Sequence, residues 1–303
     1  MTNLTLEQFE VLTLIERAQN EEYTFKKLSH ECHMNSKVIG KVLESLQELE
    51  LLVKTGHYKY MVTLKGYEWL EPYRVKRAIF MAAGFGSRMV PVTLNTPKPL
   101  IKVHGKRIIE SLIEPLLEAN ITDITIVRGY LGEQFDLLLK KYPMIKFIEN
   151  PIYNEANSIS SLYVVRDMLE NAYLLESDLL LTNKNVIRKY EYTSNCLGMK
   201  VDYTDDWCFE TKKVYITKFH VGGEKVYHQY GISYWNKKDA EQLSVDIERV
   251  FNSPGGKERC YDEVPFRECI KNYQVWVRPV HEGSIVEIDT YNELKKIDPI
   301  YDV

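Results

Sequence analysis

The sequence predicts an α/β protein: a doubly wound, mostly parallel sheet, preceded by a small helical segment that ends in a β-hairpin. Three observations lead there. From Lys76 onward, short apolar runs alternate with amphipathic stretches, the βαβα rhythm of a parallel sheet covered by helices on both faces. The first run, Ala78-Ile79-Phe80-Met81, breaks directly into Ala82-Ala83-Gly84-Phe85-Gly86-Ser87-Arg88, a strand opening into a glycine-rich turn. Residues 1–73 instead place apolar side chains at helical spacing, then switch to a strand, a turn and a strand.

In that first segment Leu6, Phe9, Val11, Leu12 and Ile15 mark a helix, with Thr5 as its cap and Gln8 completing a capping box. A second helix is expected from Thr24 to Cys32. Asn35 or Ser36 caps a third, striped by Val38, Ile39, Val42, Leu43, Leu46 and Leu49. Leu51–Lys54, the turn Gly56-His57 and Lys59–Leu64 form a hairpin. Three helices and a hairpin resemble a winged helix-turn-helix of the MarR-like type. Such a module implies DNA binding through its third helix. The charges argue against it: Lys37 and Lys41 are offset by Glu44, Glu48 and Glu50, and the wing carries only Lys54, His57 and Lys59. A packing, dimerisation or regulatory module is favoured over a DNA-binding one. Glu71-Pro72-Tyr73-Arg74 reads as the linker, giving domains at 1–73 and 76–303.

The second segment continues with a helix at Ile108–Ala119 and a strand at Ile121–Arg128 ending in Gly129-Tyr130. A helix at Leu131–Lys141, a strand at Ile145–Glu149, a helix at Ser160–Leu169 and a strand at Ala172–Glu176 follow. In 303 residues with a net charge of −4, a broad nucleic-acid or membrane surface is not expected. The cysteines Cys32, Cys196, Cys208, Cys260 and Cys269 are scattered, without Cys-x-x-Cys, and fit a reducing cytoplasm rather than a disulfide framework or zinc site. The N-terminus lacks a signal-peptide pattern. No apolar run approaches the roughly 20 residues that span a bilayer.

A strand that breaks into glycines brings backbone N–H groups close to an anion. Arg88 and Lys98 add fixed positive charge suited to a polyphosphate. No Gly-Lys-Ser/Thr closes the loop, so it is not a Walker A loop. Met89 stands where a dinucleotide fingerprint needs its third glycine. From the residues alone, a plain βα turn with two surface cations is the alternative. The loop together with Asn95-Thr96-Pro97-Lys98-Pro99-Leu100 is similar to the signature of the nucleotidyltransferases that join a nucleoside triphosphate to a phosphate monoester, a Rossmann-like family. The resemblance implies that Ala82, Gly84, Gly86 and Ser87 wrap the triphosphate while Arg88 and Lys98 neutralise it.

Acids at the carboxyl end of a strand sit where a doubly wound fold binds ligand, and Mg²⁺ favours one or two carboxylates plus phosphate oxygens. Asp178, after Ala172-Tyr173-Leu174-Leu175-Glu176-Ser177, is the first candidate ligand. Asp289, ending Ile285-Val286-Glu287-Ile288, is the second, although Asp-Thr before a helix also reads as an N-cap. The family resemblance implies a metal role for Asp289. Many relatives carry Asp-x-Asp or Gly-Asp-x where this chain has Glu176-Ser177-Asp178, so Asp178 aligns with the family's acid and a direct metal role is not carried over to Glu176.

The later sequence sets aromatics beside acids: Asp205-Asp206-Trp207, Gly231-Ile232-Ser233-Tyr234-Trp235 and Tyr261-Asp262. A quaternary ammonium is held by such an aromatic cage, so Trp207, Tyr234, Trp235, Tyr261 and Asp262 are candidate choline contacts. For any one of these rings core packing is the alternative, and of Tyr234 and Trp235, on alternating strand faces, at least one is expected in the core. Arg77 to Ile297 resembles the bacterial CTP:phosphocholine cytidylyltransferases, which supply CDP-choline for surface polysaccharides. That resemblance implies CTP and phosphocholine as substrates, Mg²⁺ as cofactor, and a cytosine and ribose pocket lined by Gly129, Tyr130, Asn157 and Ser161. Phosphoethanolamine, 2-aminoethylphosphonate or a sugar phosphate is the alternative substrate. A nucleotide-sensing DNA-binding regulator is the alternative of another class. A homodimer is one assembly the sequence leaves open.

Overall fold

The computed structural model describes residues 3–18 and 22–302, and the chain divides into two compact units, Met1–Arg74 and Val75–Val303. In the first unit, helices α1 (Leu6–Arg17), α2 (Phe25–Glu31) and α3 (Ser36–Glu48) precede a short hairpin, β1 (Leu52–Lys54) and β2 (Tyr60–Val62), and a helix α4 (Leu64–Leu70). Thr5 and Gln8 form the expected reciprocal capping box, Thr24 caps α2, and Asn35 rather than Ser36 caps α3. Helix α4 was not expected. Its cap, Thr63, also donates its hydroxyl to Glu50 O, tying the helix start to the turn between α3 and β1. Glu71–Tyr73, read as linker, is a single 3₁₀ turn.

The second unit begins with β3 (Arg77–Ala82), the loop, and the short pair β4 (Lys102–Val103) and β5 (Lys106–Arg107). Then come α5 (Glu110–Glu118), β6 (Asp123–Arg128), β7 (Lys146–Glu149), α6 (Ile159–Val165), β8 (Ala172–Glu176) and β9 (Leu179–Leu181). The chain ends with β10 (Asn195–Lys212), β11 (Tyr215–Trp235), α7 (Lys237–Phe251), β12 (Trp276–Pro279), β13 (Ile285–Glu287) and α8 (Tyr291–Ile297). The main sheet runs β10-β12-β11-β8-β3-β6-β7, and its half from β8 to β7 is parallel. Strand β11 joins β8 antiparallel.

Period-two alternation feeds both faces. Ala78, Phe80 and Ala82 of β3 enter one core with Leu112 and Leu116 of α5, while Ile79 enters the other with Leu162 of α6 and Leu243 of α7. Residues 132–140, expected as part of an α-helix, form a 3₁₀ stretch whose inward side chains, Phe135 and Leu138, stand three apart. The ribbon β10–β11, 18 and 21 residues long, was not expected as a pair of long strands. Its middle is mostly partly buried or exposed without regular alternation, which blurs the pattern that marks a strand. Among the described residues no helix is long and apolar enough to cross a membrane.

Candidate active site

Two connections build the site. Strand β3 stops at Ala82, and the loop turns at Gly86 with φ +62°, where Thr93 Oγ1 donates to the Gly86 carbonyl at 2.9 Å. Far along the chain, β13 pairs antiparallel with β9, with Glu287 opposite Leu179. That register sets Asp289 beside Asp178, two segments more than a hundred residues apart. Ser177 Oγ donates to Met81 O at 2.8 Å and locks the end of β8 to that of β3.

Thr290, not Asp289, caps α8, and the Glu293 carboxylate accepts the backbone N–H groups of both Asp289 and Thr290 at 2.8 Å. The Asp289 side chain is thereby left for other work. Lys98 Nζ donates to Asp178 Oδ2 at 2.7 Å and to Asp289 Oδ1 at 2.9 Å, and Arg88 Nη2 lies 3.0 Å from that same Asp289 oxygen. The Lys98 side chain is 10% exposed and that of Arg88 67%. Burial pulls the Lys98 ammonium down, but the charges and hydrogen bonds of Asp178 and Asp289 outweigh it and hold the value above that of an ordinary lysine. Asp178 Oδ1 is buried with no hydrogen-bond partner. An orphaned oxygen on a carboxylate that shares its lysine partner with a second carboxylate suits a hard divalent cation. No group of three His, Cys, Asp or Glu among the described residues could hold a metal, so a cation here needs ligand oxygens to complete its shell.

Three cavities meet at Asp178. The first, about 280 Å³, is lined by Ala82, Gly84, Gly86, Ser87, Arg88, Lys98 and both aspartates. The second, about 650 Å³, runs from Gly84 and Phe85 past Asn150 and Tyr153 to Asn157 and Ser161. In its wall Asn150 Nδ2 donates to Ser160 Oγ and Ser161 Oγ, and Asn157 Nδ2 donates to Glu258 O. The third, about 210 Å³, holds Trp207, Phe219 and Tyr261 with Glu176, Asp206, Asp262 and Glu287. Trp207 and Phe219 stack at 4.5 Å, Tyr261 Oη donates to Glu176 Oε1 at 3.2 Å, and Gln229 Nε2 donates to Asp262 Oδ2 at 2.8 Å. Burial raises the Asp262 carboxyl to about 7 against the Gln229 and Tyr261 hydrogen bonds. Burial, then the charges of Asp178 and Asp289, raise Glu287 to about 8.

The structure therefore gathers Ala82, Gly84, Gly86, Ser87, Arg88, Lys98, Asp178, Asp289, Asn157, Ser161, Trp207, Tyr261 and Asp262 around one centre. Four expected residues stand apart from the cavity walls. Tyr234 and Trp235 are corrections: both are core side chains, Tyr234 packed on Tyr173 and Trp235 on Phe266. Strand alternation at the end of β11 points one ring to each face of the sheet, and both faces are covered. Gly129 and Tyr130 sit behind the nucleoside-sized cavity rather than in its wall, with Tyr130 Oη donating to Thr93 O. Sequence reasoning missed Glu287, Gln229 and Phe219. Glu287 had a signal, since it lies two residues before Asp289 on the same strand face. It also set Glu176 aside, whereas this side chain lines the wall shared by two cavities.

Residues 77–203 match the family described as Nucleotidyl transferase. A 2-aminoethylphosphonate cytidylyltransferase of Lancefieldella rimae is 35% identical over 228 residues, covering 74% of this chain and 92% of that protein. A choline-phosphate cytidylyltransferase of Streptococcus pneumoniae is 34% identical over 226 residues, covering 74% of this chain and 97% of that one. The solved structure of CTP:phosphocholine cytidylyltransferase from Streptococcus pneumoniae aligns with a TM-score of 0.69 at 33% identity, over 75% of this chain and 99% of that one. With a third of its aligned residues shared over nearly the full length of such enzymes, and with their fold, this chain belongs to the nucleotidyltransferase family.

Proposed function

We propose that the enzyme transfers CMP from CTP to phosphocholine, releasing pyrophosphate and CDP-choline, with Mg²⁺ as cofactor. The observation that carries this reading is the meeting of three cavities at Asp178, one lined by the glycine loop and two cations, one sized for a nucleoside, and one acidic and aromatic. A phosphate oxygen of phosphocholine attacks the α-phosphorus of CTP. The new P–O bond forms as the bond to pyrophosphate breaks. Catalysis then rests on positioning and charge neutralisation. Gly84, Gly86 and Ser87 present backbone to the triphosphate, and Lys98 and Arg88 offset charge on its oxygens. Asp178 and Asp289 would hold Mg²⁺. When bound, the metal supplies Lewis-acid stabilisation of phosphate charge. Trp207, Phe219 and Tyr261 form the apolar wall for the trimethylammonium group, and Asp262 supplies the opposing charge.

A second reading, transfer to 2-aminoethylphosphonate, is favoured by one observation: the small cavity has more carboxylates than rings, and two of the expected rings lie in the core. A primary ammonium suits hydrogen-bond acceptors. Pyrophosphate release from CTP with phosphocholine, phosphoethanolamine and 2-aminoethylphosphonate decides between them. The highest kcat/KM is expected with phosphocholine. A higher value with 2-aminoethylphosphonate moves the assignment to that substrate, and no release with any of the three ends the reading.

For the first unit we propose a winged-helix module that serves packing or regulation in a cytoplasmic enzyme. The exposed face of α3 carries Lys37 and Lys41 beside Glu44 and Glu48, a poor match to phosphates. A DNA shift at physiological salt by the full chain would contradict this.

A further inference from the structure

A cluster of three rings stands outside the hydrophobic cores, and two of them, Phe85 and Tyr153, line the 650 Å³ cavity with Tyr130 behind them. Phe85, at the tip of the glycine loop, packs against Tyr130 at 5.2 Å and Tyr153 at 5.4 Å, with both pairs tilted. Its side of the cluster is open: Phe85 is 45% exposed. The outer rings are fixed. The Tyr130 hydroxyl donates to Thr93 O at 3.0 Å. Tyr153 lies so close over Gly129 that a Cβ there would stand 2.6 Å from its ring, so any residue but glycine at 129 would displace it. An exposed phenylalanine between two glycines adds nothing to the core. It does present a flat apolar surface to whatever fills the cavity.

We infer that Phe85 and Tyr153 form the aromatic seat of the nucleobase, a role that rests on the nucleotidyltransferase reading of this site. The chemistry fits the place. The rings line the same cavity as the amide-bearing Asn154 and Asn157, so a base stacked on the wall meets groups that hydrogen-bond to its edges. The neighbouring cavity, with Arg88 and Lys98, takes the phosphates. Gly129 then acts through Tyr153, as the floor that admits its ring, which explains why a glycine behind the cavity wall belongs to the site.

The test compares two ligands by calorimetry on the full-length chain. Phe85→Ala and Tyr153→Ala are expected to weaken CTP binding about 5- to 100-fold, the range of one lost base–aromatic contact. Inorganic tripolyphosphate, which has no base, should bind both variants as it binds the wild type. Phe85→Tyr should restore CTP affinity. Unchanged CTP binding in Phe85→Ala overturns the inference, and so does an equal loss for tripolyphosphate, which would mean that only the loop was distorted. Tyr153→Phe keeps the ring and should bind CTP normally, so a loss there would assign the effect to the hydroxyl instead. Titrating the wild type with UTP, ATP and GTP separates this from the cytidine assignment. If another nucleotide binds better and Phe85→Ala weakens that one, the seat stands and the choice of base changes.

Discussion

Lys98 occupies the place between two acids that a metal and a triphosphate would contest. Asp178→Asn and Asp289→Asn are each expected to lower kcat/KM by about 100-fold or more without loss of fold, read by pyrophosphate release and thermal unfolding. Wild-type activity in Asp178→Asn at low Mg²⁺ would remove the metal assignment. Lys98→Met carries a double expectation. Removing one partner of a buried ionic cluster costs about 3 kcal/mol of stability. Since Asp178 and Asp289 are then left facing each other, Mg²⁺ should raise the variant's Tm more than it raises the wild type's. An equal response in both would mean that the acids do not share a cation.

The acids of the small cavity give a pH signature. Asp262, held at about 7, and Glu287, at about 8, keep protons that an unfolded chain gives up near pH 4. Their support for folding is full below about pH 4 and is lost as pH rises through about 7 to 8. A cationic substrate prefers the ionised acids, so its KM should fall from about pH 6 to about pH 8. Asp262→Asn should flatten that fall, measured at saturating CTP, and an unchanged slope would point to another group. Trp207→Ala should raise the phosphocholine KM about five- to thirtyfold through the lost cation–π contact and leave the KM for CTP alone.

Among the elements, α8 matters out of proportion to its length. Its capping box, Thr290 with Glu293, fixes the backbone of Asp289. Glu293→Ala is expected to cost about 1 kcal/mol of stability and to lower kcat more than a surface substitution of similar cost, because the Asp289 N–H loses the carboxylate that anchors it. A fall in Tm with kcat unchanged would show that β13 alone places Asp289. The sequence could not rank the two roles of Asp289 because Asp-Thr satisfies both patterns. The pairing of β9 with β13, which no local signal announces, separates them. The ribbon β10–β11 shows the same limit, since it brings Trp207, Phe219 and Gln229 to the small cavity from positions with no common motif.

The two units divide at Arg74, and the relatives are aligned over 92% and 97% of their own lengths while covering 74% of this chain. A chain beginning at Val75 is therefore expected to fold and to turn over CTP at the full-length rate, since the three cavities are built wholly from residues after Val75. A loss of kcat that returns when the first unit is added back would assign that unit a regulatory role.

The sequence by itself determined the parallel half of the sheet, the glycine loop and the candidate acid Asp178, because each is local: an apolar run, a break into glycines, an acid at a strand end. It also determined the cap of the first helix, Thr5 with Gln8, whose hydrogen bonds span three residues. Only the tertiary structure decided which aromatics face a ligand and which face the core, since Tyr234 and Trp207 carry the same local pattern of ring and strand. Burial depends on what packs against each face of a strand, and those partners, α6 and Phe266 among them, come from distant sequence. The shared centre was likewise decided in three dimensions. Lys98, Asp178 and Asp289 meet because a short antiparallel pair closes over the end of a parallel sheet.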